Sequence, residues 1–334
     1  MMEQDPRFNP EWREDVLDLT SIEIPLILPR PTSNEKDTWV VSEYKRHEVV
    51  FGEPYKYPTP RQIVSVVKRS KLGSDLVFTS PGEGEVEDTN PLIDLVFPPK
   101  AWMSNTLQEC SAMLAAAKVA HGKVLVGGLG LAIYPQFILY LKRPIESITI
   151  VESSPEVLEL VGTRWLDAVD AGMRGHINIV QDTIQAYLQN CTELFDTIFF
   201  DVWEDSDPRF LSQTNHLIQL GLQKCTPTGQ IQSWGYALAV DTFVRDAVMY
   251  VEQDFKFDDF VLDPALERLG EWVKQQDKSK LTPEEIQRVA REIATTTAIA
   301  GYDRDDCFTA YAISHMHAYM NYAHTKKKVP AKEN

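Results

Sequence analysis

The segment Val124-Leu-Val-Gly-Gly-Leu-Gly-Leu-Ala-Ile-Tyr134 limits this chain more than any other stretch: an apolar, β-rich run enters closely spaced glycines and leaves as a helix. Gly127, Gly128 and Gly130 carry no Cβ, so the backbone can turn tightly and lie close against a ligand. The unpaired N–H groups of the helix start face the same place. Alone, such a turn serves equally well as a plain connection between a strand and a helix. The flanking sequence decides between the two.

From residue 105 onward, short β-rich runs alternate with helical ones. Strands are expected near Lys123–Val126, Ser147–Glu152, Ile177–Gln181, Phe195–Asp201 and Gln230–Ser233, with helices near Leu131–Leu141, Pro155–Val169, Ile184–Gln189 and Phe210–Lys224. Strand and helix in series imply parallel strands joined by right-handed crossovers. The expected fold class is α/β, a Rossmann-like, doubly wound, mostly parallel sheet, with a β-rich N-terminal region and a helical C-terminal extension. Ligands of such sheets bind beyond the carboxyl ends of the strands. Three successive expected strand ends carry acids there: Glu152, Asp182 and Asp201. Glu152 lies about 20 residues beyond the glycines, where a nucleotide site places a carboxylate on ribose hydroxyls.

With these residues the chain resembles the class I S-adenosylmethionine (SAM) dependent methyltransferases, in the branch similar to spermidine synthase. The likeness spans residues 102–236 in coarse order and is carried mainly by Val126-Gly-Gly-Leu-Gly130 and Phe195-Asp-Thr-Ile-Phe-Phe-Asp201. It implies a transferase with SAM as cofactor. It further implies that Gly127, Gly128 and Gly130 line the methionine part, that Glu152 holds the ribose, and that Asp182 meets the adenine amino group. Gln181 and Thr183 would flank the adenine, and Asp201 would sit beside the transferring centre.

Methyl transfer from a sulfonium is an in-line displacement with a good leaving group, so the protein's work is positioning and, where needed, proton removal. Asp201 is the candidate for a base or for steering a cationic acceptor. Trp203 reads either as a cation–π partner of the sulfonium or as ordinary packing. Glu204 and Asp205 would hold a cationic substrate or cap the next helix. Aminopropyl transfer from decarboxylated SAM is the related alternative. In that family the turn carries an acid, as Gly-Gly-Gly-Asp-Gly, and the later strand runs into Asp-Ser-Ser-Asp-Pro. Here Leu129 takes the acid's place and the second motif reads Asp201-Val-Trp-Glu-Asp-Ser-Asp-Pro208, and both departures speak against polyamine synthesis. Cleavage or cyclisation of SAM itself, and a non-catalytic SAM-binding scaffold, are the other readings. A dinucleotide-dependent oxidoreductase needs Gly-x-Gly-x-x-Gly, and Ile133 stands where its third glycine belongs.

The chain is expected to divide into residues 1–100, 101–262 and 263–334. The first part, broken by prolines, reads as short strands around Ile22–Leu28, Trp39–Val41 and Val49–Phe51, a helix over Arg61–Lys71, where Ile63, Val66 and Val67 repeat at helical spacing, and a loop over Ser80–Asn90. Asn105 with Gln108 forms a capping box ahead of the glycine strand. Trp102-Met-Ser104 before it is a lid over the cofactor mouth or a hydrophobic staple. In the last part, Thr282-Pro-Glu-Glu285 marks a helix start, followed by the apolar face Ile286, Val289, Ala290 and Ile293. A further helix is expected over Asp305–Ala323. These C-terminal helices would shape the acceptor pocket or a homo-oligomer interface.

A formal net charge of −16 opposes nucleic acid as the main partner, since that affinity comes from Lys and Arg on phosphates. The expected partner is a small-molecule acceptor, with the basic run Lys326–Lys328 left to a polar tail. Cys110, Cys191, Cys225 and Cys307 show no C-x-x-C spacing, so neither a zinc knuckle nor a disulfide framework is expected. His315 and His317, two apart, point to different helix faces and make no zinc pair. No run approaches the roughly 20 apolar residues of a membrane span, and the start lacks a basic-then-apolar leader, so a cytoplasmic protein is expected.

Overall fold

The computed structural model describes residues 5–10, 12, 26–30, 39–46, 61–68, 101–203, 208–252 and 264–300, with the backbone alone at 39–46, 61–68, 101–102 and 107–108. The expected strand at 49–51, the loop at 80–90, Glu204, Asp205, Cys307, both C-terminal histidines, the 305–323 helix and the lysine tail lie outside them. The described chain divides into two compact units, residues 1–205 with 220–234, and residues 206–219 with 235–334.

The first unit is built on a five-stranded parallel sheet in the order β6-β5-β4-β7-β8. Its strands are β4 (Gly122–Gly127), β5 (Ile145–Glu152), β6 (Ile177–Gln181), β7 (Phe195–Phe200) and β8 (Cys225–Ser233). The chain runs outward from β4 through β5 and β6, then returns to β4's other side with β7 and β8. That reversal creates a crevice at the carboxyl ends of β4 and β7, the ligand position of a Rossmann-like α/β fold. Val124, Val126, Ile148, Ile150 and Phe199 face one side and share a core with α1 (Leu107–Ala117) and α2 (Ile133–Tyr140). Leu125, Ile198 and Phe200 are equally buried on the other face. Burial on both faces is why these strands read as continuous apolar runs rather than alternating ones.

Several expectations change in detail. Arg61–Lys68 is not helical: it is β2, paired antiparallel between β1 (Trp39–Arg46) and β3 (Ala101–Ser104). Ile63, Val64, Val66 and Val67 are all β-branched, and a stiff χ1 favours the pleated surface over a helix even where the apolar spacing suits both. Leu26, Ile27 and Leu28 form no strand; instead the Gln136 side-chain amide accepts from Ile27 N–H at 2.7 Å and donates to its carbonyl at 3.2 Å. The cap of α1 is Thr106, whose hydroxyl accepts from Glu109 N–H, and not Asn105, which is buried. The helix after the glycines begins at Ile133 because Ala132 is left-handed, φ 56°. The helix after β5 is not continuous: α3 (Pro155–Val157) and α4 (Thr163–Ala168) flank a π-turn at Leu158–Gly162. The short α5 (Ala171–Arg174) and α6 (Ile184–Asn190) follow.

Residues 5–10 dock on the free edge of β8. Phe8 bridges Ile231 in parallel, Ile231 N–H donates to Arg7 O at 2.7 Å, and Arg7 Nη1 donates to the Cys225 carbonyl at 2.9 Å. Covering an edge in this way removes a template for strand addition. Asp5 grips the Arg7 guanidinium through both oxygens, at 2.9 and 2.7 Å, which holds its carboxyl down to about 2. A depressed folded-state pKa contributes stability above the unfolded value near 3.8 and loses it as pH falls toward about 2. Acid melts should therefore show the wild type losing stability between pH 4 and 2 more steeply than Asp5→Asn; equal slopes would remove the pair from the acid response. The effect is modest because both side chains are partly exposed.

The second unit packs α8 (Tyr236–Glu252), α9 (Pro264–Lys274) and α10 (Pro283–Thr296) with the start of α7 (Leu211–Lys224). Thr282 caps α10 as expected, accepting from Glu285 N–H at 3.2 Å, and Ile286, Val289, Ala290 and Ile293 are all buried. Buried Asn215 ties the unit together, donating to the carbonyls of Ala294 and Thr297 at 2.7 Å each and accepting from Tyr236 Oη at 2.6 Å. Among the described residues no helix is long and apolar enough to cross a membrane.

Candidate functional site

The glycine turn follows β4 directly, and each sheet neighbour of β4 fixes one part of it. Gly128 N–H donates to Val151 O of β5 at 2.9 Å, and Gly127 O accepts from Asp201 N–H, just past β7, at 2.9 Å. Gly127 has no room for a side chain, since a Cβ there would lie 2.9 Å from Ile184 and 3.2 Å from Phe200. Gly128 is left-handed, φ 91°, and its missing Cβ would overlap the Asp201 carbonyl oxygen. Gly130 differs from both. It too is left-handed, φ 53°, but a Cβ on it would meet nothing within 4 Å among the described residues. Two glycines therefore serve close packing against α6 and the end of β7, and the third leaves room for a side chain among the described residues.

Glu152 closes the turn from the β5 side. Its Oε2 accepts from Leu129 N–H at 2.9 Å and its Oε1 from Ser154 N–H at 2.8 Å. Each carboxylate oxygen can accept twice, so capacity remains on both. The next strand end is more local in its bonding: Asp182 Oδ1 accepts from Thr183 N–H at 2.7 Å, and the Thr183 hydroxyl caps α6 through Ala186 N–H at 3.2 Å. Gln181 is exposed and pairs in register with Glu152. Asp201, half-buried, stands opposite the glycine turn. Trp203 is buried, and its indole N–H donates to the Trp234 carbonyl at 3.2 Å, which ties it to the end of β8. The sheet thus gathers Gly127, Gly128, Gly130, Glu152 and Asp201 around one crevice, with Gln181, Asp182 and Thr183 one strand further out. Met103, in β3, joins the core cluster.

Three polar groups at this edge were not singled out in the sequence. Tyr134, on the first turn of α2, stacks on Phe199 with ring centroids 4.1 Å apart, and burial pushes its phenol well above the ordinary range. Its hydroxyl, Gln232 Oε1 and Ser233 Oγ are buried without a hydrogen-bond partner among the described residues. Gln232 pairs with Phe199 and Ser233 with Phe200, so both sit at the carboxyl end of β8. Such unpaired groups cost about 1–3 kcal/mol each and are rare in folded proteins. Two polar residues at the buried end of β8 were the available signal. No group of three or more His, Cys, Asp or Glu among the described residues is arranged to hold a metal. Cys110, Cys191 and Cys225 form no disulfide among the described residues, and burial pushes the Cys225 thiol up to about 11.

No protein-family profile and no characterised protein matches the sequence. Solved structures do match. One is the SAH-bound methyltransferase of Podospora anserina, at 12% identity over 56% of this chain and 70% of that one, TM-score 0.31. Another is the O-methyltransferase from Bacillus cereus in complex with SAH, at 15% identity over 55% of this chain and 83% of that one, TM-score 0.26. A third, precorrin 8W decarboxylase of Methanobacterium thermoautotrophicum, has 11% identity over 37% of this chain, TM-score 0.29, and only 60% of its length is covered. The fold assignment stands on the strand order and register rather than on these likenesses.

Proposed function

We propose that this protein is a SAM-dependent methyltransferase acting on a small-molecule acceptor. The observation that carries the reading is the pairing of an open left-handed glycine, Gly130, with the carboxylate at the end of the neighbouring strand β5, Glu152, beside the switch point of a parallel sheet. The residues present suit the cofactor. Glu152 retains acceptor capacity for two ribose hydroxyls, and Asp182 Oδ2 is the atom to accept from the adenine amino group. The start of α2 has no side-chain cap, and uncapped N–H groups there suit a carboxylate such as that of the methionine moiety. SAM, when bound, supplies an electrophilic methyl group.

The protein's own part is then orientation and proton handling. Asp201, whose backbone meets the turn, is the carboxylate assigned on this reading to hold a cationic acceptor or take its proton. The unpaired Gln232 Oε1, on the same sheet face as Phe199, suits a polar group of the acceptor at the end of β8. The acidic balance of the chain favours a small molecule over nucleic acid.

Gly130→Ala tests the reading directly. Ala at a left-handed position costs about 1 kcal/mol, so the thermal midpoint should fall by only a few degrees. The new methyl enters the open space before the turn, so affinity for S-adenosylhomocysteine (SAH) should drop by about tenfold or more in calorimetric titration. Unchanged SAH affinity would move the cofactor away from this turn. In the same titrations the wild type should prefer SAM and SAH over decarboxylated SAM and NAD; tightest binding of decarboxylated SAM would restore aminopropyl transfer. Once screening yields an acceptor, Asp201→Asn should lower kcat by about a hundredfold with SAH affinity retained, whereas full turnover would exclude Asp201 as the base.

A further inference from the structure

We infer that Leu129 is a positioning residue that sets the shape of the glycine turn, and that the π-turn at Leu158–Gly162 exists to seat it. The inference rests on the cofactor reading above for its consequence, but not for its geometry. Leu129 is flanked by two left-handed glycines, so between Gly127 and Gly130 it has the one side chain available to anchor the turn. It is tethered in three ways. Its N–H donates to Glu152 Oε2 at 2.9 Å, its carbonyl accepts from Ala132 N–H at 2.8 Å, and its side chain is 4% exposed within the core.

The side chain ends against Gly162. A Cβ built there would lie 3.4 Å from Leu129 Cδ2, with Ile179 and Leu158 methyls next at 3.8 Å each. The extra residue of a π-turn shifts the phase of the helix that follows, so a glycine rather than a neighbour with a side chain comes to face the turn. The arrangement joins the cofactor turn to a helix that need not touch the cofactor at all. One carboxylate, Glu152, would then serve the ribose and the turn together, so that loosening Leu129 is felt at the ribose.

Four proteins test this: Leu129→Ala, Leu129→Met, Gly162→Leu, and the double variant Gly162→Leu with Leu129→Ala, in which volume is moved from one side of the contact to the other. Two measurements are made on each, calorimetric titration with SAH and hydrogen exchange at the amides of Leu129 and Ala132. Leu129→Ala and Gly162→Leu should each weaken SAH binding by about tenfold and speed exchange at both amides. Leu129→Met, near in volume, and the double variant should return both readings to within about threefold of wild type. A loss spread through the whole fold would speed exchange at core amides far from the turn as well, and not at these two amides first. Leu129→Ala with wild-type affinity and exchange, or a double variant no better than Gly162→Leu, overturns the inference. Should Gly162→Leu not fold, the contrast of Leu129→Ala with Leu129→Met decides alone. Failure of the wild type to bind SAH would sink the cofactor reading, while the exchange rates would still decide the clamp.

Discussion

Gly128→Val is expected to unfold or gravely weaken the protein, with a thermal midpoint lower by about 10 °C or more. A branched side chain at φ 91° is strained, and its Cβ would overlap the carbonyl oxygen of Asp201, a backbone atom that cannot swing aside. Left-handed strain of about 1–2 kcal/mol and overpacking of about 1–3 kcal/mol both act against the fold. The displaced partner would be the junction between β4 and β7, which also holds Gly127 O on Asp201 N–H. Melting followed by far-UV circular dichroism is the check. A midpoint within a degree or two of wild type would mean that the two strand ends separate at little cost. From the sequence, Gly128 reads only as one of three glycines lining the cofactor; the register of β7 against β4 gives it a packing role instead.

Glu152→Ala should have the largest effect on binding. On the proposed reading it removes the acceptor for the ribose hydroxyls, and it also frees Leu129 N–H and Ser154 N–H, two donors held at 2.9 and 2.8 Å. Hydrogen bonds to a charged group are worth about 1.5–3 kcal/mol, so a combined loss near 3 kcal/mol, or more than about a hundredfold in SAH affinity, is expected. Glu152→Gln keeps one acceptor oxygen and exchanges the other for a donor, which cannot satisfy both N–H groups. Its affinity should fall between wild type and Glu152→Ala. SAH binding at wild-type strength by a folded Glu152→Ala would remove the carboxylate from the ribose.

Most of the parallel sheet was legible because its central strands are buried on both faces and separated by turn residues. Runs such as Val124–Val126 and Ile198–Phe200 have no polar alternation that would suit a solvent-facing strand, and each is followed by a helix. Helix starts were legible where a side chain makes them, as at Thr282. They were misread where two adjacent residues could both cap, as at Asn105 and Thr106, or where the backbone decides, as at left-handed Ala132. Arg61–Lys68 was misread because apolar residues at 63, 66 and 67 fit a helical period, while pairing with strands on both sides draws a β-branched run into a sheet. The helix Tyr236–Glu252 went unmarked although its buried positions, Tyr236, Val240, Phe243, Ala247 and Tyr250, recur at helical spacing.

The sequence by itself determined the class of fold, the place of the glycine turn and the acids at three strand ends, because these depend on local period, on residues lacking a Cβ and on chain order. It could not divide the labour among the glycines. Whether a missing side chain makes room for a neighbouring strand or for a ligand depends on what lies opposite, and Asp201 is 73 residues from Gly128 in the chain. The same holds for Glu152, whose bond to Leu129 spans 23 residues, and for Leu129 itself, whose seat at Gly162 is formed by a π-turn without a distinctive composition. Only tertiary structure decides such contacts, since each one joins residues that are distant in the chain and is set by the register of strands and the phase of a helix rather than by the propensity of either partner.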